Sequence, residues 1–314
     1  FIFHLCPAEI GGIMLEIFKK QILGVIVTLV LCLGSGKLLA QPPESSKKEE
    51  AKADEGDPTF FYRFAQFLVR EPDKTFTSPT MRDPGPDTAN FPNSPNTLPK
   101  GMFYVEVTPF NLTGASSSSP RTYTTPTLIR YGITDDVEFR LFTNGFTAIN
   151  NPETSGFSPL VFDMKVRFWE EKEGSFLPSM GLEVYLQTDF GSGAFNTGLQ
   201  PSMSLLFTKD LLWDLTLEAN VGFQSSDIGL AGYGDGYELN VQGALTKKLT
   251  EKFSVFAQTF YNGAANPRSL DNIIAGGGAI YNLTERTTIW GSYNASLAKD
   301  LSPYLAYMGV AFAF

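Results

Sequence analysis

The sequence predicts an all-β fold: a closed antiparallel up-and-down transmembrane β-barrel of about twelve strands over residues 101–314. Three observations predict it. The C-terminal stretch alternates bulky Met308, Val310, Phe312 and Phe314 with Tyr307 and the small residues Gly309, Ala311 and Ala313, and it stops on an aromatic. Period-two alternation recurs upstream with the polar residues on one parity. Short turns alternate with longer connections rich in Gly, Ser and Asn. A soluble sheet would place its bulky face on a core and polar groups in water, but in Met308 to Phe314 the second face is small and weakly polar. Hydrocarbon is the solvent that suits such a strand.

Taken in order, the chain opens with an export signal. Lys19-Lys20, the apolar run Ile22 to Leu33 and the small Ala40 before Gln41 read as the n-region, h-region and cleavage site of a secretory signal peptide. Translation is expected to start at Met14, and residues 1–40 are excluded from the mature fold. The apolar run is too short for a membrane-spanning helix. Cleavage removes both cysteines, Cys6 and Cys32, and the only histidine, His4. A chain without thiol or imidazole has no Cys or His metal centre, no Cys-His nucleophile and no Ser-His-Asp triad. No metal, no cofactor and no enzymatic activity are therefore expected.

Residues 41–100 read as a periplasmic linker. Lys47 to Asp57 is charged or small, and Glu71 to Lys100 is crowded with Pro, Asp, Asn, Ser and Thr, so neither can bury enough apolar surface to order itself alone. Between them, residues 59–69 carry Phe60, Phe61, Phe64, Phe67 and Leu68 on one helical face, which predicts a short amphipathic helix. That helix is a candidate lumen plug or interface element.

From Gly101 onward the strands follow one another. Phe103, Val105 and Val107 alternate with Tyr104, Glu106 and Thr108, and Val137, Phe139 and Leu141 with Glu138 and Arg140. Phe162, Met164, Val166 and Phe168 alternate with Asp163, Lys165 and Arg167. Leu217, Ala219, Val221 and Phe223 alternate with Glu218, Asn220 and Gln224. Short turns are expected at Glu170 to Gly174, Gly132 to Asp136, Thr208 to Asp210, Leu249 to Glu251 and Leu283 to Arg286. Long connections are expected at Asn111 to Arg121, Asn144 to Phe157, Gly191 to Gln200, Ser225 to Gly236 and Asn262 to Asp271. Hydrophobic residues make up 43% of the chain, because lipid-facing and lumen-facing positions average out in such a fold. The formal charge of −9 argues against nucleic acid as a partner, since phosphate neutralisation needs clustered Lys and Arg.

Asn93-Ser94-Pro95-Asn96-Thr97-Leu98-Pro99-Lys100-Gly101-Met102-Phe103-Tyr104-Val105-Glu106 resembles the opening of the outer-membrane family named for the MetA pathway of phenol degradation. Arg130-Tyr131-Gly132-Ile133-Thr134-Asp135, followed by Glu138-Phe139-Arg140, is similar to that family's next segment. The likeness runs from about Asn93 to Phe314. Arg82 to Asp87 resembles a spread-out form of a compact Asp-Arg-Pro-Asp element that the family carries upstream. The resemblance implies a transporter-like protein of the bacterial outer membrane.

The candidate site residues are the charges of lumen parity: Glu106, Arg130, Glu138, Arg140, Asp163, Lys165, Arg167, Glu183, Glu218 and Glu238. An Arg or Lys turned toward lipid would cost about 2–4 kcal/mol at the bilayer midplane, so they are expected to face inward. There they form either a constriction that selects solutes or a salt-bridge network that fills a narrow barrel. The expected function is passive passage of small, aromatic or hydrophobic solutes across the outer membrane. The alternative is a closed structural or surface-binding barrel without transport. Expected partners are outer-membrane lipid, a small solute, and the barrel-assembly machinery through the closing strand at Met308, Val310, Phe312 and Phe314.

Overall fold

The computed structural model of the chain describes residue 81 and residues 84–115, 120–172, 174–227, 235–264, 272–296 and 303–314. The signal peptide expected over 1–40 and the helix expected over 59–69, with Phe60, Phe61, Phe64, Phe67 and Leu68, lie outside the described residues. In chain order the strands are β1 (Phe103–Thr113), β2 (Thr122–Thr124), β3 (Thr127–Gly132), β4 (Val137–Thr143) and β5 (Phe146–Asn150). They continue as β6 (Glu153–Phe157), β7 (Leu160–Trp169), β8 (Ser179–Gln187), β9 (Gln200–Leu211) and β10 (Leu215–Asp227). The last are β11 (Asp235–Lys248), β12 (Phe253–Ala264), β13 (Asn272–Asn282), β14 (Thr287–Ser296) and β15 (Tyr304–Ala313).

Twelve of them form the wall in the order β1-β3-β4-β7-β8-β9-β10-β11-β12-β13-β14-β15, all antiparallel, and β15 pairs with β1 to close it. Closure leaves none of the twelve wall strands with an open side, which the absence of water in hydrocarbon requires. The remaining three extend the wall at its outer end: β2 pairs with Asn111 to Thr113 of β1, β5 with β2, and β6 with β5. Each prolongs its neighbour in sequence across a break, at Thr125-Pro126, Asn144-Gly145 and Ser158-Pro159. Proline has no N–H for the ladder, and Gly145 takes φ +63°, so the pairing shifts to a new partner at these points. The connection expected over Asn144 to Phe157 is thus largely ordered sheet.

The alternation read from the sequence is realised in burial. On β15, Tyr307, Gly309, Ala311 and Ala313 are buried, while Met308, Phe312 and Phe314 are 61%, 38% and 61% exposed. On β10 the outward residues Leu217, Val221 and Phe223 are exposed and Asn220 is buried. Val221→Lys is accordingly expected to cost about 2–4 kcal/mol, read as a lowered urea midpoint in lipid vesicles. An unchanged midpoint would mean that this face does not meet hydrocarbon.

One turn falls elsewhere than expected. β9 runs on through Thr208, Lys209 and Asp210 to Leu211, and the reversal is made by Leu212-Trp213-Asp214. Trp213 and Asp214 both adopt positive φ, 64° and 52°, the geometry of a type I′ hairpin turn. The Asn-Gly or Asp-Gly pair that usually marks this turn is absent, so the polar Thr-Lys-Asp triplet gave the stronger but misleading signal.

Residues 84–100, the end of the stretch read as linker, fold into the lumen as a plug. Its order comes from the wall: the segment buries little apolar surface of its own, and its polar groups are satisfied by strand side chains. Met81, Ala89 and Leu98 join Met102, Tyr104, Trp290, Tyr307, Ala311 and Ala313 in one buried apolar cluster against β1, β14 and β15. The small inner face of β15 is what makes room. A Cβ on Gly309 would stand 2.2 Å from the Trp290 ring, and one on Gly132 would stand 2.1 Å from the Pro99 carbonyl oxygen.

Candidate functional site

In an outer-membrane barrel the short turns face the periplasm, so the plug rises from that side, crosses the lumen near Ala89 and Phe91, and returns to it at Pro99. Met81 N–H donates to the carbonyl of Glu285 in a short turn, at 2.6 Å, and Gly101 N–H donates to the carbonyl of Gly132 at 2.8 Å. Between these ends the charged wall residues converge on Asp87.

Arg130 on β3 is fully buried and makes ion pairs with Glu138 of β4 at 2.7 Å, Glu106 of β1 at 3.1 Å and Asp87 of the plug at 3.3 Å. Register explains the wall pairs, because Arg130 stands opposite Tyr104 on one side and Arg140 on the other, with Glu106 and Glu138 two places along. Its guanidinium also lies 5.4 Å from the centre of the Tyr104 ring. Arg140 reaches Asp163 at 3.1 Å and Asp87 at 3.6 Å, and it pairs with Glu183. Lys165 pairs with Asp87. Two cations directly opposite one another, Arg130 and Arg140, would repel, and the interleaved carboxylates are what make that register tolerable.

The same carboxylates hold the plug backbone. Glu106 accepts from the N–H groups of Asp87, at 3.1 Å, and Thr88, at 2.8 Å, while Glu138 accepts from Leu98 N–H at 2.8 Å. Glu183 accepts from the amide of Asn93 at 2.9 and 2.8 Å. Farther round the wall, the Asn90 amide donates to Glu218 at 2.5 Å, Phe91 N–H to Gln258 at 2.8 Å, and the Tyr307 hydroxyl to the Ala89 carbonyl at 3.2 Å.

Seven of the ten expected wall charges therefore form one cluster: Glu106, Arg130, Glu138, Arg140, Asp163, Lys165 and Glu183. The other three stand apart. Arg167 is tied to Asp136 at 2.8 Å and to Glu170 at the periplasmic rim, Glu218 meets the plug alone, and Glu238 takes a hydrogen bond from Asn262 near the outer mouth. Wall parity could not reveal Asp87, Asn90, Phe91 and Asn93, because they belong to a segment with no period. The spread-out Arg82 to Asp87 element was the available signal, and its last residue is the centre of the cluster.

Two cavities flank the plug. The outer one, about 330 Å³, is bounded by Asn90, Phe91, Arg140, Asn220 and Tyr307 among others; the inner one, about 210 Å³, by Met81, Asn90, Thr216 and Glu218.

A family model described as "Putative MetA-pathway of phenol degradation" matches residues 86–314. The chain belongs to this family. The match begins one residue before Asp87 and runs to the terminal Phe314, so it takes in the plug as well as the wall. Among solved structures, the MetA-pathway chain is similar to the COG4313 outer membrane channel of Pseudomonas putida F1, with TM-score 0.55 and 14% identity over 71% of this chain and 99% of that one. It is also similar to the NanC porin, with TM-score 0.48 and 11% identity over 67% of this chain and 98% of that one. No curated protein matches. The barrel is that of an outer-membrane protein.

Proposed function

We propose that this barrel is a channel through which small solutes cross the outer membrane passively, with residues 84–100 as the plug that sets its bore. The observation that carries the reading is the pair of cavities, one on each face of a plug a single segment thick. A closed structural barrel would have little reason to keep cavities on both sides of its filling. The outer cavity combines polar Asn90, Asn220 and Tyr185 with apolar Phe91, Phe142 and Leu305, which suits a small aromatic ring bearing a polar substituent. The name of the family points to the same class of solute.

The test is conductance and solute-driven swelling of vesicles holding the refolded full chain, beside a chain lacking residues 81–100. Both are checked for a folded barrel by their resistance to unfolding in detergent. Small currents from the full chain and currents roughly tenfold larger after deletion are expected, because the plug fills most of the bore. No current from either form, with the barrel folded, would favour the closed structural reading.

A further inference from the structure

The plug does not grip the wall equally all round. Toward β1, β3, β4, β7 and β8 it is held by the charged cluster, and toward β14 and β15 by the apolar cluster of Ala89, Trp290 and Tyr307. Toward β10 its described contact is the hydrogen bond from Asn90 to Glu218.

The barrier is also thinnest there. Glu218 borders the inner cavity and Asn220, the next inward position on β10, borders the outer one. Two residues of a strand span about 6.6 Å, so roughly one side-chain thickness separates the cavities at this wall. Asp87 and Asn90 border both cavities. Asp87 is fixed by three cations, whereas parting Asn90 from Glu218 breaks a hydrogen bond and no ion pair.

Charge is uneven in the same direction. Asp163 and Glu183 share Arg140, while Glu218 has no ion pair among the described residues. When Asn90 parts from it and water enters, Glu218 ionises, and a carboxylate where the two cavities come nearest concentrates cations and repels anions.

We propose that solute passes between the plug and β10 by parting Asn90 from Glu218 while the rest of the plug stays in place, and that Glu218 makes this passage favour cations and neutral molecules over anions. The proposal rests on the channel reading above. It separates two roles that one residue pair could otherwise share: Asn90 is the movable gate and Glu218 the selectivity group.

The experiment is planar-bilayer recording of the full chain under a KCl gradient, comparing wild type, Asn90→Ala, Glu218→Gln and the double variant. Asn90→Ala is expected to raise conductance about threefold while keeping the preference for potassium over chloride, because the carboxylate remains. Glu218→Gln still accepts the Asn90 hydrogen bond, so the gate stays shut and its conductance should not rise above wild type. In the Asn90→Ala background, where current flows, the same glutamine should bring the potassium-to-chloride permeability ratio to about one. A ratio unmoved by Glu218→Gln in that background overturns the selectivity role. Asn90→Ala currents equal to wild type, while the chain lacking residues 81–100 conducts, overturn the gate and leave the channel reading standing. Silence from that deleted chain as well removes the channel reading, and this proposal with it.

Discussion

Arg130→Met is expected to lower the unfolding free energy of the barrel by about 3–5 kcal/mol, the usual cost of removing one member of a buried ion cluster. Three carboxylates, Asp87, Glu106 and Glu138, lie within 3.3 Å of the guanidinium, and Glu106 and Glu138 are fully buried, so bulk water cannot take its place beside them. Methionine would fill much of the volume and leave those charges facing one another. Lysine should rescue only part of the loss: Arg130 places Nε on one Glu138 oxygen at 2.7 Å and Nη2 on the other at 3.0 Å, a fork that a single ammonium cannot reproduce. The measurement is the urea midpoint in lipid vesicles, read alongside the electrophoretic shift of the folded barrel. A loss below about 1 kcal/mol for Arg130→Met would mean that water already screens the cluster as it does an exposed pair.

The wall of this molecule was legible in the sequence and the plug was not. Alternation names the inward residues of β1, β3, β4 and β7 correctly because a strand in hydrocarbon has no freedom of register: a one-residue slip would carry Arg130 or Lys165 into lipid. The small face of β15 was equally visible, but its cause lies in the Trp290 ring over Gly309 and in the plug methyl of Ala89, contacts between residues far apart in the chain. Residues 84–100 have no period to read, since they form neither helix nor strand. Their composition is that of a linker, and the wall orders them: Glu106, Glu138, Glu183 and Gln258 accept from their N–H groups, three cations hold Asp87, and Ala89 and Leu98 join the apolar cluster. Apolar periodicity makes the aromatic run at residues 60–68 a plug or interface candidate, and that run lies outside the described residues. The segment that fills the described lumen is polar, because a lumen lined with charge selects for hydrogen-bond partners. Parity likewise gives Glu218 and Glu238 the same standing as Glu106, although Glu218 stands on β10, two strands beyond the edge of the cluster at β8, and Glu238 lies near the outer mouth.

Asp87→Asn is expected to free the plug and raise conductance by roughly tenfold, toward that of the chain lacking residues 81–100. The loss falls unequally on the three cations. Arg130 keeps Glu106 and Glu138, and Arg140 keeps Asp163 and Glu183, but the described ion pair of Lys165 is with Asp87. An ammonium buried without a counter-charge costs about 3–5 kcal/mol. The strand that carries Lys165 cannot leave the wall, so the system lowers that cost by releasing the plug and admitting water. Asp87→Asn combined with Lys165→Met removes both charges, and the pair should close again, giving a non-additive double-mutant cycle. Acid should act in the same sense only at low pH. Burial alone would push the Asp87 carboxyl upward, but the charges of Arg130, Lys165 and Arg140 outweigh it and hold the group below its ordinary value of 3.8. A carboxyl lowered in the folded state contributes its full stability above the ordinary value and loses it as pH falls through the folded one. The hold of Asp87 on the plug should therefore be intact at about pH 5 and fail only in more acidic solution. Opening between neutral pH and about pH 5 would place the trigger on a different group, and an Asp87→Asn channel that stays closed would show that the apolar cluster, not the ion pairs, retains the plug.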